Sequence, residues 1–222
     1  MIEIHGLSQS YKKKQVLDSI DLHVGKNELC ALVGRNGAGK STLIHSILGI
    51  LPIKQGDVVL NGTPLKQKGW KKSVAYLPEK FHLYPHLTGE ENMRFFASLD
   101  SKNPDEAAIA EKLKQVDLED AKDVQVKEYS KGMLQRLGLG IMLYYDTEIL
   151  ILDEPTSGLD PMGRQEILRI LKGLEDKTIL LSSHHMDEIK QICTHVAFLE
   201  NGKMTKYSVG EFQEKLTAGG EY

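Results

Sequence analysis

The residues with the clearest chemistry lie in a glycine-rich stretch near the start of the chain. Residues 34–42 read Gly-Arg-Asn-Gly-Ala-Gly-Lys-Ser-Thr, which fits the P-loop pattern of a glycine, four residues and then Gly-Lys-Ser. An apolar run precedes the stretch at 29–33, and helical spacing follows it as far as Gly49. A glycine loop between a strand and a helix points backbone N–H groups at phosphate oxygens. The stretch therefore predicts a phosphate-binding loop.

Each residue type in this loop suits the binding of a nucleoside triphosphate. Glycines allow the backbone to approach the phosphates closely. We expect the Lys40 ammonium to bridge the β- and γ-phosphates and the Ser41 hydroxyl to bind Mg²⁺. The predicted nucleotide-binding set covers the whole loop: Gly34, Arg35, Asn36, Gly37, Ala38, Gly39, Lys40, Ser41 and Thr42.

A pair of acidic residues follows the apolar run at 149–152. This arrangement is the Walker B pattern, and in a parallel sheet the end of such a strand lies beside the P-loop. Asp153 is then the expected Mg²⁺ ligand, and Glu154 the base that orients and deprotonates the attacking water. Taken alone, Asp-Glu after an apolar strand could equally be a solvated pair, and it is the P-loop that favours the catalytic interpretation.

Composition narrows the class of protein. The chain has 222 residues and a formal net charge of −3, which suits one large domain and argues against a general polyanion binder. Its two cysteines are too few for a disulfide framework, and Cys30 is expected to be a small buried hydrophobe. We find neither a signal-peptide layout nor an apolar run of about 18 residues, so we expect a soluble chain that depends on another chain to cross a membrane.

The order of elements predicts an α/β fold. Short alternating strands occupy the N-terminal part, a helical stretch covers 85–145 with helices near 92–99, 105–116 and 132–145, and strands and helices then alternate again. The expected architecture is a P-loop NTPase (RecA-like) core with an N-terminal antiparallel β subdomain and an inserted α-helical subdomain. Residues 1–222 would form one domain, with 1–84 and 146–222 as the nucleotide-binding core and 85–145 as the helical subdomain.

A further motif identifies a family. Residues 129–136 read Tyr-Ser-Lys-Gly-Met-Leu-Gln-Arg and lie shortly before the Walker B pair at the start of a predicted helix. They resemble the signature motif of ABC transporter ATP-binding subunits, usually Leu-Ser-Gly-Gly-Gln, and the resemblance to this family covers nearly the whole chain. Lys131 and Met133 depart from that consensus in a way that is similar to the ABC-2, exporter-like branch. The resemblance implies that Ser130 and Gly132 bind ATP held by the P-loop of a second subunit, paired head to tail.

The resemblance also implies roles for isolated positions. Glu79 replaces the usual Gln of the Q-loop and would bind Mg²⁺, although a solvated loop carboxylate is the alternative. Tyr11 would stack on adenine, or else it is an ordinary surface tyrosine. Asp160 ends the Ser157-Gly158-Leu159-Asp160 stretch, which matches the D-loop that contacts the partner subunit. His184 would be the switch histidine that binds the γ-phosphate, although the adjacent His185 could take that place.

The function implied is that of an ATPase subunit, using ATP and Mg²⁺, that energises transport, with export as the expected direction. Its partners would be a second nucleotide-binding subunit, identical or not, and separate transmembrane permease subunits, with no nucleic acid. Such a chain would be cytoplasmic and peripheral on the inner face of the cell membrane. The segment 84–87, Tyr-Pro-His-Leu, would either receive a helix of the membrane subunit or pack within the helical insert.

Two other classes fit less well. A non-transport ABC-type ATPase acting on DNA would carry a long coiled-coil insert, and the insert here is short and lacks sustained heptads; relatives that act on ribosomes carry two such domains. A P-loop kinase or GTPase would leave the signature helix unexplained, and the chain has no Asn-Lys-x-Asp guanine motif. The sequence does not identify the transported substrate, because cargo contacts would lie in the membrane subunits.

Overall fold

The computed structural model describes residues 1–11 and 14–218, with only the backbone of Tyr11. The described chain divides into two compact units. Unit 1 contains residues 1–74, 148–154 and the described residues from 175 onward, and unit 2 contains residues 75–147 and 155–174.

The elements follow one another along the chain as strands and helices, with two short 3₁₀ segments at Lys68–Ser73 and Val126–Glu128. The strands are β1 (Ile2–Tyr11), β2 (Lys14–Val24), β3 (Leu29–Val33), β4 (Gln55–Leu60), β5 (Thr63–Pro64), β6 (Val74–Leu77), β7 (Ile149–Leu152), β8 (Thr178–Ser182), β9 (His195–Glu200) and β10 (Lys203–Ser208). The helices are α1 (Lys40–Ile47), α2 (Gly89–Ala97), α3 (Glu106–Gln115), α4 (Lys131–Tyr144), α5 (Pro161–Lys172), α6 (Met186–Ile192) and α7 (Val209–Thr217).

An antiparallel sheet forms the N-terminal part of unit 1. Its four strands lie in the order β2-β1-β4-β5, and Ile4 pairs with Leu22 on one side and Val58 on the other. These apolar side chains are buried, while polar neighbours such as His5 and Asp21 are exposed. Alternation of this kind is what a sheet with one solvated face requires. The predicted N-terminal antiparallel β subdomain is therefore confirmed.

A second sheet in unit 1 contains the strands next to the predicted P-loop and Walker B residues. Its strands lie in the order β10-β9-β3-β8-β7, and β3 pairs in parallel with both β8 and β9, as β7 does with β8. Strands β7 and β8 are buried along their whole length, which explains why their sequences are continuous apolar runs rather than alternating ones. This parallel core confirms the α/β, RecA-like fold class.

Both cysteines lie in the interior of unit 1. Burial raises the pKa of the Cys30 thiol to about 12, and burial also raises the pKa of Cys193. Neither thiol is bonded to the other. Because a thiol with a raised pKa stays neutral near pH 7, these residues act as small apolar side chains, as expected from the place of Cys30 within a buried strand.

The helices of unit 2 begin where their capping residues predict. Thr88 accepts a hydrogen bond from the backbone of Glu91, and the Glu91 carboxylate accepts one from the backbone of Thr88, which completes the expected capping box. Asp105 caps α3 by accepting hydrogen bonds from two backbone amides. The bounds of α2, α3 and α4 agree with the predicted helices to within a few residues.

Contacts around α4 explain why unit 2 extends beyond the predicted insert at 85–145. Arg136 of α4 forms an ion pair with Glu166 of α5 at 3.4 Å. A side chain at Gly138 would collide with Phe81, because the space above this glycine is filled by the Phe81 ring. Residues 155–174 and the segment before residue 85 therefore pack with the helices.

Among the elements that the sequence did not predict are one 3₁₀ segment and one short helix of unit 1. The 3₁₀ segment Lys68–Ser73 buries Trp70, whose indole N–H donates to the carbonyl of Leu65. Helix α6 spans only seven residues and buries Ile189 and Ile192. Short helices carry little periodic signal, so the sequence does not predict either of them.

Within residues 1–11 and 14–218, none of the helices has the length and apolar character needed to cross a membrane.

Candidate functional site

The glycine-rich loop of unit 1 runs from the end of β3 to the start of α1. Its first glycine lies against the next strand, because a Cβ at Gly34 would come 2.5 Å from the carbonyl oxygen of Leu199. Gly39 has φ +113, and a Cβ there would come 2.8 Å from a methyl group of Val16. Only glycine is accommodated at these two positions. The packing of β2 and β9 around the loop therefore requires the spacing of its glycines.

The helix that follows the loop begins without a side-chain cap. Gly39 is the N-cap residue of α1, and among the described residues no side chain accepts a hydrogen bond from the first amides of this helix. The N–H groups of the first turn of a helix have no partner within the helix, and the helix dipole adds positive charge there. This end of α1 can therefore bind an anion such as a phosphate group.

Lys40 is the buried cation of the loop. Its ammonium donates a 2.8 Å hydrogen bond to the carbonyl of Gly34, so the side chain folds back along the loop. Ser41 and Asn36 are exposed at the same loop, and Gly34, Arg35 and Asn36 line a cavity of about 690 Å³ together with His184, His185, Met186 and Asp187. The first three residues of the loop therefore share a cavity with the predicted switch histidine.

The Walker B residues lie at the carboxyl end of β7, beside the end of β8. Asp153 is buried and accepts a 2.7 Å hydrogen bond from the hydroxyl of Ser182. Glu154 is partly exposed, and its carboxylate lies 3.0 Å from Nδ1 of His184. Unit 1 thus brings the two predicted acids and the predicted histidine together, although they are separated by about 30 positions in sequence.

The two adjacent histidines have different surroundings. His184 contacts Glu154 and has a side chain that is 51% exposed, whereas His185 is the residue before α6, with a backbone N–H that donates to Ser183. The two rings contact each other at a centroid distance of 4.0 Å, with their planes tilted by 41°. The contact with Glu154 supports His184, rather than His185, as the switch histidine.

The oxygen groups at this end of the sheet suit Mg²⁺. Ser41 offers a hydroxyl and Asp153 a carboxylate, and hard divalent cations prefer such ligands. The described residues contain no cluster of three or more His, Cys, Asp or Glu side chains that could hold a metal by themselves. Mg²⁺ that arrives with a nucleotide needs only one or two protein ligands, because phosphate oxygens and water supply the rest.

The signature residues lie at the start of α4 in unit 2. Ser130 is exposed and caps this helix by accepting a hydrogen bond from the backbone of Met133. Tyr129, which precedes it, is buried and donates a 2.7 Å hydrogen bond to the carbonyl of Ala121. Burial also raises the pKa of Tyr129, so this hydroxyl stays protonated as a donor. The buried tyrosine fixes the position from which Ser130 and Gly132 face solvent.

Two helix N-termini come together in unit 2. A Cβ at Gly132 of α4 would lie 3.8 Å from the Cα of Gly163 in α5. Asp160 caps α5 through the backbone N–H of Gly163, and Pro161 takes the first helical position. Gly158 has φ +64 and lies directly under the ammonium of Lys131. The Lys131 side chain therefore links the signature helix to the Ser157–Asp160 loop of the same subunit.

The remaining predicted positions are less informative. Glu79 is exposed in the loop after β6 of unit 2. Tyr11 is the last residue of β1, and its side chain lies outside the described part of the structure. Their assignments as a metal ligand and an adenine contact stay predictions.

The segment at 84–87 is ordered by a buried asparagine. Asn92 of α2 is fully buried, accepts a hydrogen bond from the backbone N–H of Tyr84 and donates to the carbonyls of Tyr84 and Thr88. The ring of Tyr84 contacts the ring of Phe95 at 4.5 Å and remains 47% exposed. Both interpretations of this segment keep support, because Tyr84 packs inside unit 2 and still presents an open face.

The fold and the site define a P-loop nucleotide-binding domain, and comparison with known proteins narrows this class. The model of the ABC transporter family matches residues 17–157. The lantibiotic transport ATP-binding protein SrtF of Streptococcus pyogenes is 34% identical, with 97% of this chain and 95% of that protein covered. The linearmycin resistance ATP-binding protein LnrL of Bacillus subtilis (strain 168) is 32% identical, with 92% of this chain and 68% of that protein covered.

Solved structures are consistent with this family. One described as the ATP binding subunit of an ABC transporter has a TM-score of 0.84 and 29% identity, covering 100% of this chain and 95% of that chain. A second, an ATP-binding cassette in a dimeric post-hydrolysis state with ADP and Pi, has a TM-score of 0.81 at 21% identity and supports the fold alone. The chain belongs to the ABC transporter family. It is an ATP-binding, ATP-hydrolysing subunit that energises transport, as the motifs predicted.

Two contacts at the site do not follow from the motifs. Ser182 bonds both Walker B residues, and Lys131 covers Gly158. The sequence carries a partial signal for the first, since Ser182 is the first polar residue after the apolar run of β8. It carries none for the second, because a lysine at the start of a helix usually points into solvent.

The burial of Lys40 leads to the first testable prediction. Lys40→Met keeps the aliphatic stem and removes the ammonium, so the phosphate charge loses a charge-assisted hydrogen bond. Such bonds contribute about 1.5–3 kcal/mol, and we expect ATP affinity in calorimetry to fall roughly 10- to 150-fold. Lys66→Ala, at an exposed ion pair with Asp57, is the control and should bind ATP normally. Unchanged affinity in Lys40→Met would remove Lys40 from the site.

Proposed function

We propose that Glu154 is the general base for ATP hydrolysis in a head-to-tail dimer that powers export through separate membrane subunits. The observation that carries the proposal is the 3.0 Å contact between Glu154 and His184, at the same end of the sheet as the P-loop. A carboxylate held by a histidine beside a phosphate-binding loop is placed to activate water.

The residues of unit 1 have separate roles in the proposed hydrolysis of ATP. The loop amides and Lys40 bind the β- and γ-phosphates of ATP and offset their negative charge. Glu154 accepts a proton from the attacking water, whose oxygen forms the new bond to the γ-phosphorus as the bond to the leaving oxygen of ADP breaks. An ionised Glu154 requires His184 to carry its proton on Nδ1, which leaves Nε2 to accept a hydrogen bond or, when protonated, to donate one to the γ-phosphate.

Mg²⁺ would be held by Ser41 and Asp153, and Glu79 is a further candidate ligand. When bound, the metal neutralises part of the phosphate charge and orients the triphosphate. Asp153 suits this role because Ser182 holds its carboxylate in one orientation. A ligand held in one rotamer loses less entropy on binding than one on a mobile side chain.

The second half of each site would come from the partner subunit. Ser130, Gly132 and Asp160 lie at the adjoining N-termini of α4 and α5, where helix dipoles and Lys131 add positive charge. We propose that this surface faces ATP bound to the other subunit, with Tyr11 stacking on the adenine of its own subunit. Closure of the dimer then completes the site.

Our proposals for the membrane partner and for the direction of transport are based on the names of two relatives and on one exposed surface of unit 2. The names of SrtF and LnrL associate them with lantibiotic transport and linearmycin resistance, which supports export. An aromatic patch formed by Tyr84 and Phe95 is partly exposed on unit 2. We propose that it receives a helix of a separate transmembrane subunit, and that the chain acts at the cytoplasmic face of the membrane. Aromatic anchors of this kind are common at protein interfaces.

The test of the proposed base is Glu154→Gln. The amide cannot accept a proton from water, so kcat should fall about 10²- to 10⁴-fold while ATP still binds and still promotes dimers in sizing chromatography. Glu148→Gln removes an exposed carboxylate from the residue just before strand β7, at the end opposite to Glu154, and should hydrolyse ATP at the wild-type rate. Wild-type turnover by Glu154→Gln would exclude Glu154 as the base.

The shared site is tested by mixing two inactive variants. Lys40→Met damages the P-loop and Ser130→Arg damages the signature, so a mixed dimer has one site with both lesions and one intact site. If subunits pair at random and one intact site suffices, activity should return to about a quarter of the wild-type value.

The matched control for the lost helix cap is Asp105→Ala, which uncaps α3 in the same unit at a similar cost of about 1 kcal/mol. It should keep full ATPase activity. Wild-type hydrolysis by Ser130→Arg alone would contradict the trans arrangement, whereas no recovery on mixing two folded variants would leave it without support.

The aromatic patch is tested by Tyr84→Ser with Phe95→Ser. We expect co-purification with the membrane subunit to fall about tenfold or more, because loss of an interface anchor typically costs over 1 kcal/mol. ATP binding by the isolated subunit should be unchanged. Ile50→Ser, at an apolar residue of unit 1 that is 58% exposed, should leave co-purification intact. If the double variant unfolds, the aromatic contacts serve packing in unit 2; normal co-purification of a folded variant places the docking surface elsewhere.

A further inference from the structure

A single buried hydroxyl bonds both acidic residues of the site. Ser182 is the last residue of β8 and is fully buried. Its Oγ lies 2.7 Å from Oδ1 of Asp153 and 2.7 Å from the backbone nitrogen of Glu154. Both distances fall within the normal range for hydrogen bonds of their type, and both contacts lie inside unit 1. The proposed metal ligand and the proposed base therefore share one partner.

The chemistry of the hydroxyl fixes the direction of both hydrogen bonds. An ionised carboxylate can only accept, so the single proton of Ser182 is donated to Asp153. The lone pairs of the same oxygen then accept the N–H of Glu154. Among side chains of similar size, only threonine and, more weakly, cysteine also combine a donor and an acceptor in one atom.

The bond to the backbone of Glu154 acts at an unusual conformation. Glu154 has φ +49, in the left-handed region that residues other than glycine seldom adopt. This conformation has a cost that surrounding contacts must offset. The backbone geometry at Glu154 sets the direction of its side chain, whose carboxylate reaches His184 at 3.0 Å. The hydroxyl of Ser182 is thus one of the contacts that hold the carboxylate in place.

We propose that Ser182 is a positioning residue for ATP hydrolysis. Its hydroxyl holds the Asp153 carboxylate in one orientation and holds Glu154 in its left-handed conformation. The metal ligand and the base therefore keep a fixed position relative to each other. The inference rests on the roles proposed for Asp153 and Glu154. It adds a group that touches neither ATP nor the attacking water and acts only through those two residues.

The same strand supplies a matched control for a purely structural role. Thr178, the first residue of β8, is also buried, accepts a 3.0 Å hydrogen bond from the backbone of Asn27 and lies 3.4 Å from the carbonyl oxygen of Gly25. Thr178→Val removes a buried hydroxyl and leaves a backbone N–H without its acceptor, as Ser182→Ala does, at the opposite end of the strand. The general effect of losing a buried hydroxyl from β8 should appear in both Thr178→Val and Ser182→Ala. An effect that acts through Asp153 and Glu154 should appear only in Ser182→Ala.

The experiment compares steady-state kinetics and thermal unfolding of Ser182→Ala, Ser182→Thr and Thr178→Val. We expect Ser182→Ala to lower kcat about 10- to 100-fold, the range that follows from small misplacement of catalytic groups, with KM for ATP changed less than about threefold. The Mg²⁺ concentration for half-maximal rate should rise. Ser182→Thr, which keeps the hydroxyl, should recover most of the rate, and Thr178→Val should keep kcat with a similar drop in Tm.

A second comparison separates this inference from the role of Glu154. Under single-turnover conditions at saturating Mg²⁺, which compensates for weaker metal binding at Asp153, adding Ser182→Ala to Glu154→Gln should slow hydrolysis by no more than about threefold, because the orientation of the base no longer matters. Independent, multiplying effects would overturn the inference, as would a Ser182→Ala kcat equal to that of Thr178→Val. If Glu154→Gln alone turns over normally, it is the proposed base that fails. If Glu154→Gln is inactive while Ser182→Ala is normal, only the positioning role fails.

Discussion

The site depends on the parallel register of three buried strands. Leu32 of β3 pairs with Ser182 of β8, and Leu152 of β7 pairs with Leu181 of β8, so the carboxyl ends of the strands lie at one level. Loops that leave parallel strands at the same edge are brought together whatever their separation in sequence. A shift of β8 by one residue would turn Ser182 to the opposite face of the sheet. The position of every polar group in unit 1 that the proposal uses follows from this register.

The register also explains how polar groups are tolerated in so apolar a core. The strands that hold the site are buried along nearly their whole length, and Asp153 is buried where β7 ends. A buried carboxylate without a donor would cost several kcal/mol. Ser182 supplies that donor, and its own oxygen accepts the N–H of Glu154. The charged groups are thus placed where the sheet ends and hydrogen bonds become available, rather than in its interior.

Local patterns predicted most of the fold because they report local physics. A capping residue determines where its helix begins within a few positions, as Thr88 and Asp105 show, and apolar runs identify buried strands. Such local patterns do not predict contacts between residues that are far apart in sequence. The bond from Ser182 to Asp153 joins residues 29 positions apart, and the packing of α5 on α4 through Arg136 and Glu166 extended unit 2 past the predicted insert. Helix α6 was missed because seven residues give too short a period.

The N-termini of helices α1, α4 and α5 differ in a way that bears on the proposed reaction cycle. Helix α1 begins at a glycine without a side-chain cap among the described residues, so its first amides are available to phosphate. Helices α4 and α5 begin at Ser130 and Asp160, each of which already accepts a hydrogen bond from an amide of its own helix. An amide that is satisfied internally gains less from a new acceptor. In the proposed head-to-tail dimer, phosphate should therefore bind strongly to the P-loop of its own subunit and more weakly to the helices of the partner. A dimer closed by the weaker contact can reopen after hydrolysis while the nucleotide stays on the stronger one, which is what a repeating cycle requires.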